Sequence, residues 1–328
     1  MVLLIGFAAC ERNDDEPVLP KTAISRLYVS FFDVQMDDLQ DPYNNIAVFD
    51  PAHASEFIRP FEYNSGVLEG AGIYFDPFSS KVFQGSLRDQ SIKSFSVNAQ
   101  GAIGTGSTFR DSTLLYQRDL VYDYTSKNLY VSDNLSESIY VYAQALNRNG
   151  NIRPNKKFKL SGQPWGLYLQ GDTIRGDSLF IAMAGASAEV QLLEHVSKID
   201  SGVVAASKKI KIAGASDLRG IAYSAKLNTL FLSDFGSGKI YILEHAREAF
   251  NTQGTVSPTR IIAGIQTQLQ TPIDISVDDR EDKSIIYVID RTAKKLLRFN
   301  ISDDGNVAPN AVYNQFPLTP VSIYMDAR

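Results

Sequence analysis

DLRGIAYSAKLNTLFLSDFGSGKIYILEH (217–245) decides the fold. At its centre TLFLSD (229–234) is a short apolar run ending in Ser-Asp, with GIAYS (220–224) before it and KIYILEH (239–245) after it. The separators, AKLN and FGSG, are rich in turn-forming Asn, Gly and Ser. Runs of this length, rich in Ile, Leu, Tyr and Phe and punctuated by Asp, Ser and Gly, read as antiparallel strands joined by tight turns. One such three-strand unit buries too little surface to stand alone, so the question is whether the chain repeats it.

It does. The first strand recurs as GIYFD (72–76), DLVYD (119–123), GLYLQ (166–170), GIAYS (220–224), DISVD (274–278) and SIYMD (322–326), with spacings of 47, 47, 54, 54 and 48 residues. The second recurs as RLYVSF (26–31), KVFQGS (81–86), NLYVSD (128–133), SLFIAM (178–183), TLFLSD and IIYVID (285–290). The third recurs as NIAVFD (45–50), SIKSFSV (91–97), SIYVYAQ (138–144), EVQLLEH (189–195), KIYILEH and KLLRFNI (295–301). A weaker fourth segment includes KKFKLSG (156–162), KKIKIAG (208–214) and TRIIAGI (259–265). Four antiparallel strands in roughly 40–50 residues make one blade of a β-propeller, whose blades stack into a continuous core. The expectation is an all-β, six-bladed propeller of four-stranded antiparallel blades. RLYVSF has no first strand before it and PVSIYMD (320–326) has no second strand after it, so the two complete one blade and close the ring.

PWGLYLQ, DLRGIAYSAKLNTLFLSDFGSGKIYIL and SPTRIIAG…LQTPIDISVD resemble NHL-type and YncE-like β-propellers, over nearly the whole chain after residue 24. The resemblance implies fold more than function, because such propellers serve as binding modules, scaffolds, lactonases and lyases.

Composition fits one large ring. Apolar residues make up 44% of the 328 and aromatics 11%, enough for an extensive core. The net charge is −5 with no polybasic block, which argues against nucleic-acid binding through phosphate neutralisation. After the N-terminus no stretch approaches the ~18 apolar residues of a membrane span.

The N-terminus carries a separate signal. MVLLIGFAAC (1–10) is too short to cross a bilayer and resembles a signal-peptide core ending in small residues before cysteine, as in a bacterial lipobox, although Phe7 replaces the usual Leu and no Lys or Arg precedes the run. Cys10 is the sole cysteine, so no intrachain disulfide can form. The expected organisation is a signal-peptide remnant at 1–9, a charged tether at 10–24 after lipidated Cys10, and the propeller at 25–328. The acidic residues after Cys10 in ERNDDEPVLPKT resemble the surface-export signal of Bacteroidota lipoproteins, which implies an outer-membrane protein facing outward and touching the membrane through its lipid alone.

Candidate chemistry belongs at the mouth of the channel, on the top face, where first strands begin and second strands end. Asp133, Asp234 and Asp290 end three second strands. Their recurrence favours a turn-capping device over a ring of ligands. The non-repeating residues are Arg118, Trp165, Arg219 and Asp274. They are expected to converge on one pocket in which a guanidinium pair and an exposed aromatic face take a carboxylate or sugar. The structural alternative is that Trp165 wedges between blades while Arg118 and Arg219 pair with Asp119 and Asp217. His53, His195 and His245 follow third strands, on the bottom rim, away from any general-base role at the mouth.

Calcium is the one cofactor with candidate ligands, Asp119 and Asp274, as in lactonase-type propellers. The acidic loop 32–44, with Asp33, Asp37, Asp38 and Asp41, lacks EF-hand spacing and reads as a solvated loop. No phosphate loop, G-x-S-x-G elbow or cysteine nucleophile is present. The sequence thus points to a surface binding or interaction module, with a small molecule, glycan or protein at the mouth. The alternative is a calcium-dependent lactonase or hydrolase.

Overall fold

The computed structural model describes residues 23–33, 43–172, 176–252 and 254–328. The predicted signal remnant, Cys10 and most of the tether lie outside these residues, as do Asp37, Asp38 and Asp41. Six small sheets surround one axis, a six-bladed β-propeller. We number the blades I–VI by their second strands.

Blade I combines Pro320–Ala327 with Ser25–Phe31, Ile46–Phe49 and Phe61–Tyr63. Blade II runs Gly70–Asp76, Lys81–Ser86, Ser91–Val97 and Ile103–Arg110, and blade III Gln117–Asp123, Asn128–Asp133, Ser138–Ala143 and Lys156–Lys159. Blade IV runs Pro164–Asp172, Gly176–Met183, Glu189–Glu194 and Lys208–Ile212. Blade V runs Leu218–Ser224, Thr229–Asp234, Lys239–Leu243 and Arg260–Ile262, and blade VI Pro272–Asp278, Ile285–Asp290, Lys295–Asn300 and Ala311–Tyr313. In every blade the first-named strand is innermost.

Closure is as the unmatched end strands require. The C-terminal strand pairs antiparallel with Ser25–Phe31 from Ser25↔Ala327 through Val29↔Ile323 to Phe31↔Pro320. Blades then pack through a recurring aromatic contact between a second strand and the next blade's inner strand. Tyr28 stacks on Phe75 at 5.3 Å, Phe83 meets Tyr122 at 5.2 Å, and Phe180 stacks on Tyr223 at 4.8 Å. Each such pair adds about 0.5–1.5 kcal/mol beyond simple area burial.

Each blade's own four strands are antiparallel, as expected, but three sheets gain a fifth, parallel strand. Gly150–Asn151 joins the outer strand of blade II, Gly202–Val203 that of blade III, and Gly254–Val256 that of blade IV. Each comes from the connection between third and outer strands of the following blade, so it straps neighbours together at the rim. At the closing seam an arginine does this work. Arg298 of blade VI donates to the carbonyl oxygens of Ala52, Ala54 and Ser55 in blade I.

The second-strand aspartates are the turn devices their repetition implied, and they do one thing more. All three are fully buried. One oxygen of Asp133 accepts from Ser136 N in the following turn, and the other from Leu115 N and Tyr116 N in the loop entering the inner strand. Asp234 reaches Gly236 N on one side and Ser216 N and Asp217 N on the other. Asp290 reaches Ala293 N, Gln270 N and Thr271 N. Each carboxylate therefore ties together the two top-face connections of its own blade.

Candidate functional site

The inner strands align residue for residue, and this alignment sorts the predicted site. Arg118, Trp165 and Arg219 hold one equivalent position in blades III, IV and V, and Ile273 holds it in blade VI. Asp274 is one residue further along, equivalent to Asp119. Because side chains alternate along a strand, the first three share one environment and Asp274 has another.

Arg118, Trp165 and Arg219 do converge at the top. The Arg118 guanidinium carbon lies 4.0 Å from the Trp165 ring centroid and that of Arg219 4.1 Å from it. The two arginines arrive from the blades on either side. Arg118 also covers Tyr116 at 3.6 Å, and Arg219 covers Phe235 at 3.4 Å. Trp165 is only 8% exposed and packs in the core cluster with Ile273, Ile289 and Met325. Its ring is a wedge whose faces are taken by guanidinium groups, and it offers no open platform of the kind expected. What the mouth presents instead is the charge of the arginines.

Their pairing is uneven. Arg219 binds Asp217 Oδ2 through Nε at 3.1 Å and Nη2 at 2.8 Å, the local pairing the sequence allowed. Asp217 Oδ1 accepts from Gly185 N at 2.8 Å, which fixes the carboxylate against blade IV. Arg118 does not pair with Asp119. Its buried Nε has no hydrogen-bond partner among the described residues. A third guanidinium, Arg291, lines the same pocket from the turn after the second strand of blade VI, 5.0 Å above the Phe32 ring. Burial holds both Arg118 and Arg219 below the usual arginine range, and the positive charge of Arg291 pushes each further down. Arg118 falls to about 10, still fully charged at neutral pH. The pocket, about 420 Å³, is completed by Asn134, Gln163 and Phe235 among others, and its size is that of a small-molecule site.

Arg291, Phe235 and Asn134 were missed by sequence reasoning, yet a signal existed. Each immediately follows the aspartate ending a second strand, in Asp-Arg, Asp-Phe and Asp-Asn pairs. The capping role of the aspartates points the next residue at the mouth.

Asp274 lies in the central channel, not in this pocket. Its Oδ2 accepts from Ser322 Oγ at 2.9 Å and Ile323 N at 2.8 Å, and its Oδ1 from Ile275 N. Asp119 accepts from its own neighbour Leu120 N and, in the next blade, from Leu167 N, each at 2.8 Å. Each thus stitches its blade to the next near the axis. Close approach there requires glycine on the preceding blade: a Cβ on Gly72 would sit 2.6 Å from Asp119 Cα, and one on Gly220 2.6 Å from Asp274 Cα. Blades III and VI are three steps apart in a ring of six, so the two carboxylates lie on opposite sides of one cavity of about 190 Å³. Burial raises both above the usual carboxylate range, and the charge of Asp274 raises Asp119 further. Calcium takes 6–8 oxygens. Two carboxylates whose oxygens already accept backbone N–H groups fall well short of that, and among the described residues no three His, Cys, Asp or Glu side chains gather around a common point.

The histidines stand where the sequence placed them. His195 and His245 follow third strands with φ of 53° and 54°, and Gln144 holds the same place in blade III with φ of 57°. They occupy a recurring left-handed turn position on the bottom rim. Among the described residues no helix is long and apolar enough to cross a membrane.

Comparison with known proteins confirms the architecture. No family model matches the chain, and no curated protein does. Solved structures do. A chain of a nidogen/laminin complex is 14% identical with a TM-score of 0.62, covering 92% of this chain and 98% of that one. A proposed 6-phosphogluconolactonase from Bacteroides fragilis is 15% identical, with a TM-score of 0.57 and coverage of 95% and 84%. Another from Bacteroides uniformis is 10% identical, with a TM-score of 0.56 and coverage of 89% and 83%. At these identities the likeness is one of fold.

Proposed function

We propose that this propeller is a binding module of the bacterial cell surface, of the NHL/YncE-like kind, that takes its ligand at the top mouth of the channel. The observation that carries the reading is the Arg118–Trp165–Arg219 stack with Arg291 beside it: three guanidinium groups with Asp217 as the one carboxylate bonded to any of them among the described residues. Such a charge array in a chain of net charge −5 focuses anionic groups into the mouth. The lining of guanidinium, amide and aromatic groups suits recognition, and the inter-blade stack holds it rigid. The fold supports this use, since one structural neighbour comes from a protein–protein complex.

Screening of small anions, glycans and outer-membrane proteins against the purified propeller should yield a ligand whose affinity falls at least tenfold in Arg118→Gln/Arg219→Gln, as expected when desolvated arginine contacts are lost. A ligand bound equally by the folded double variant would place recognition elsewhere.

The anchor is the second part of the reading. Cys10, following Ala8-Ala9, becomes the acylated N-terminus, and the acidic tether carries the ring outside the outer membrane. Expression in a bacterium behind a complete signal sequence should give an acylated, detergent-partitioning protein, and Cys10→Ser should abolish both properties. Mass spectrometry of an unmodified chain that retains residues before Cys10 would contradict it.

A further inference from the structure

We propose that the group captured at the mouth is a doubly charged oxyanion, a phosphate monoester or a sulfate, gripped by Arg118, Arg219 and Arg291. The proposal rests on the binding reading above and specifies its ligand.

The charge balance of the pocket argues for it. Three guanidinium groups face it and Asp217 answers one of them, which leaves two positive charges without a carboxylate partner among the described residues. Asp133, Asp234 and Asp290 lie beneath the mouth, but their oxygens are occupied by backbone N–H groups of the turns they cap. Like charges gathered around one pocket repel unless something compensates them. The cation–π contacts with Tyr116, Trp165, Phe235 and Phe32 hold the guanidinium carbons in place without consuming their N–H donors. Arg219 Nε and Nη2 are spent on Asp217 and Arg118 Nε is buried, so among the described residues it is the outer donors of Arg118 and the donors of Arg291 that are left for a ligand. Arginine's planar fork matches the oxygens of phosphate or sulfate in paired hydrogen bonds. A single carboxylate would neutralise half of that excess, and a dianion all of it.

Arg291 also separates this proposal from a structural explanation. Arg118 and Arg219 clamp the tryptophan and so contribute to packing. Arg291 is half-buried, sits on a turn and, among the described residues, covers the Phe32 ring alone, so its removal leaves the Arg118–Trp165–Arg219 stack intact.

The test is calorimetric titration at constant ionic strength with sulfate, inorganic phosphate, methyl phosphate and acetate, on wild type, Arg291→Gln and Arg118→Gln/Arg219→Gln, each first checked for a cooperative melt. Sulfate and the phosphates should bind at least tenfold tighter than acetate at pH 7.5. Phosphate binding should weaken at pH 5, below the second ionisation of a monoester near about 6, while sulfate binding stays constant. Arg291→Gln should weaken the dianions at least tenfold and acetate less than about twofold. Tighter binding of methyl phosphate than of inorganic phosphate supports the proposal and assigns an ester. The reverse order supports it and assigns the free ion. Acetate binding as tightly as sulfate, or dianion binding unchanged in Arg291→Gln, overturns the proposal and leaves the mouth reading standing. A neutral ligand lost in the double variant, with no anion bound, does the same. Any ligand bound equally by wild type and the double variant counts against the mouth itself.

Discussion

Removal of residues 320–328 unfolds the ring. This segment is the inner strand of blade I, paired with Ser25–Phe31 along its length. Its Ile323 and Met325 are buried in a cluster with Leu27, Val29 and Phe49. Truncating each side chain of this kind costs about 2–5 kcal/mol, and the two together rival the roughly 5–15 kcal/mol that holds a whole domain folded. The loss does not stop at blade I. Ser322 Oγ donates to Asp274 of blade VI and accepts from Ile73 N of blade II, so the deletion leaves polar groups unpaired in both neighbours. It also bares the inner edge of Ser25–Phe31, an apolar strand edge of the kind that aggregates. The shortened protein should be insoluble, or melt without a cooperative transition by circular dichroism. A truncated chain that melts like the full one would refute closure by this strand.

Trp165→Ala should be the most damaging single substitution at the mouth, through stability and not only through binding. The ring is 8% exposed, packs against the blade VI core and carries two guanidinium contacts. Emptying a buried tryptophan site costs about 3–5 kcal/mol. Freeing two clamped arginines adds to that, since each cation–π contact is worth about 0.5–2 kcal/mol. A drop in melting temperature on the order of 10 °C follows for a chain of this size, and Trp165→Phe should recover much of it. An alanine variant that melts within a degree or two of wild type would show that the indole is not part of the core. Loss of ligand in Trp165→Ala therefore says little about contact with the ligand, and arginine variants are the proper probes of the site.

The ring was legible because its inner three strands are set by side-chain burial, which writes a period-two apolar pattern into the sequence. Outer strands carry less of that signal. IGTGSTFR at Ile103–Arg110 is mostly small and polar, with exposed residues along much of its length, and it escapes a search for apolar runs. The parallel straps, Gly150–Asn151, Gly202–Val203 and Gly254–Val256, escape entirely, because backbone pairing and chain path create them and no side-chain pattern does. The helix Ala246–Thr252 was hidden inside a connection and buries only Ala246 and Phe250.

At the mouth the residues that break the repeat did mark the spot. Arg118, Trp165 and Arg219 are neighbours in space because they are equivalent in three successive blades. Asp274 was grouped with them through a register error of one position, which on a strand turns a side chain to another environment. Exposure of Trp165 was not legible either. The sequence shows a lone tryptophan at a rim, whereas the facing arginines that close over it come from blades 47 and 54 residues away in strand spacing.

The most direct measurement of the central claim, that the mouth arginines are displayed for a ligand, is a paired titration and thermal melt of wild type and Arg118→Gln/Arg219→Gln. The account predicts that the double variant still melts cooperatively, at a temperature lowered by the lost ring contacts and the lost Arg219–Asp217 ion pair, while affinity for the screened ligand falls at least tenfold. Undiminished affinity in a folded double variant would contradict it.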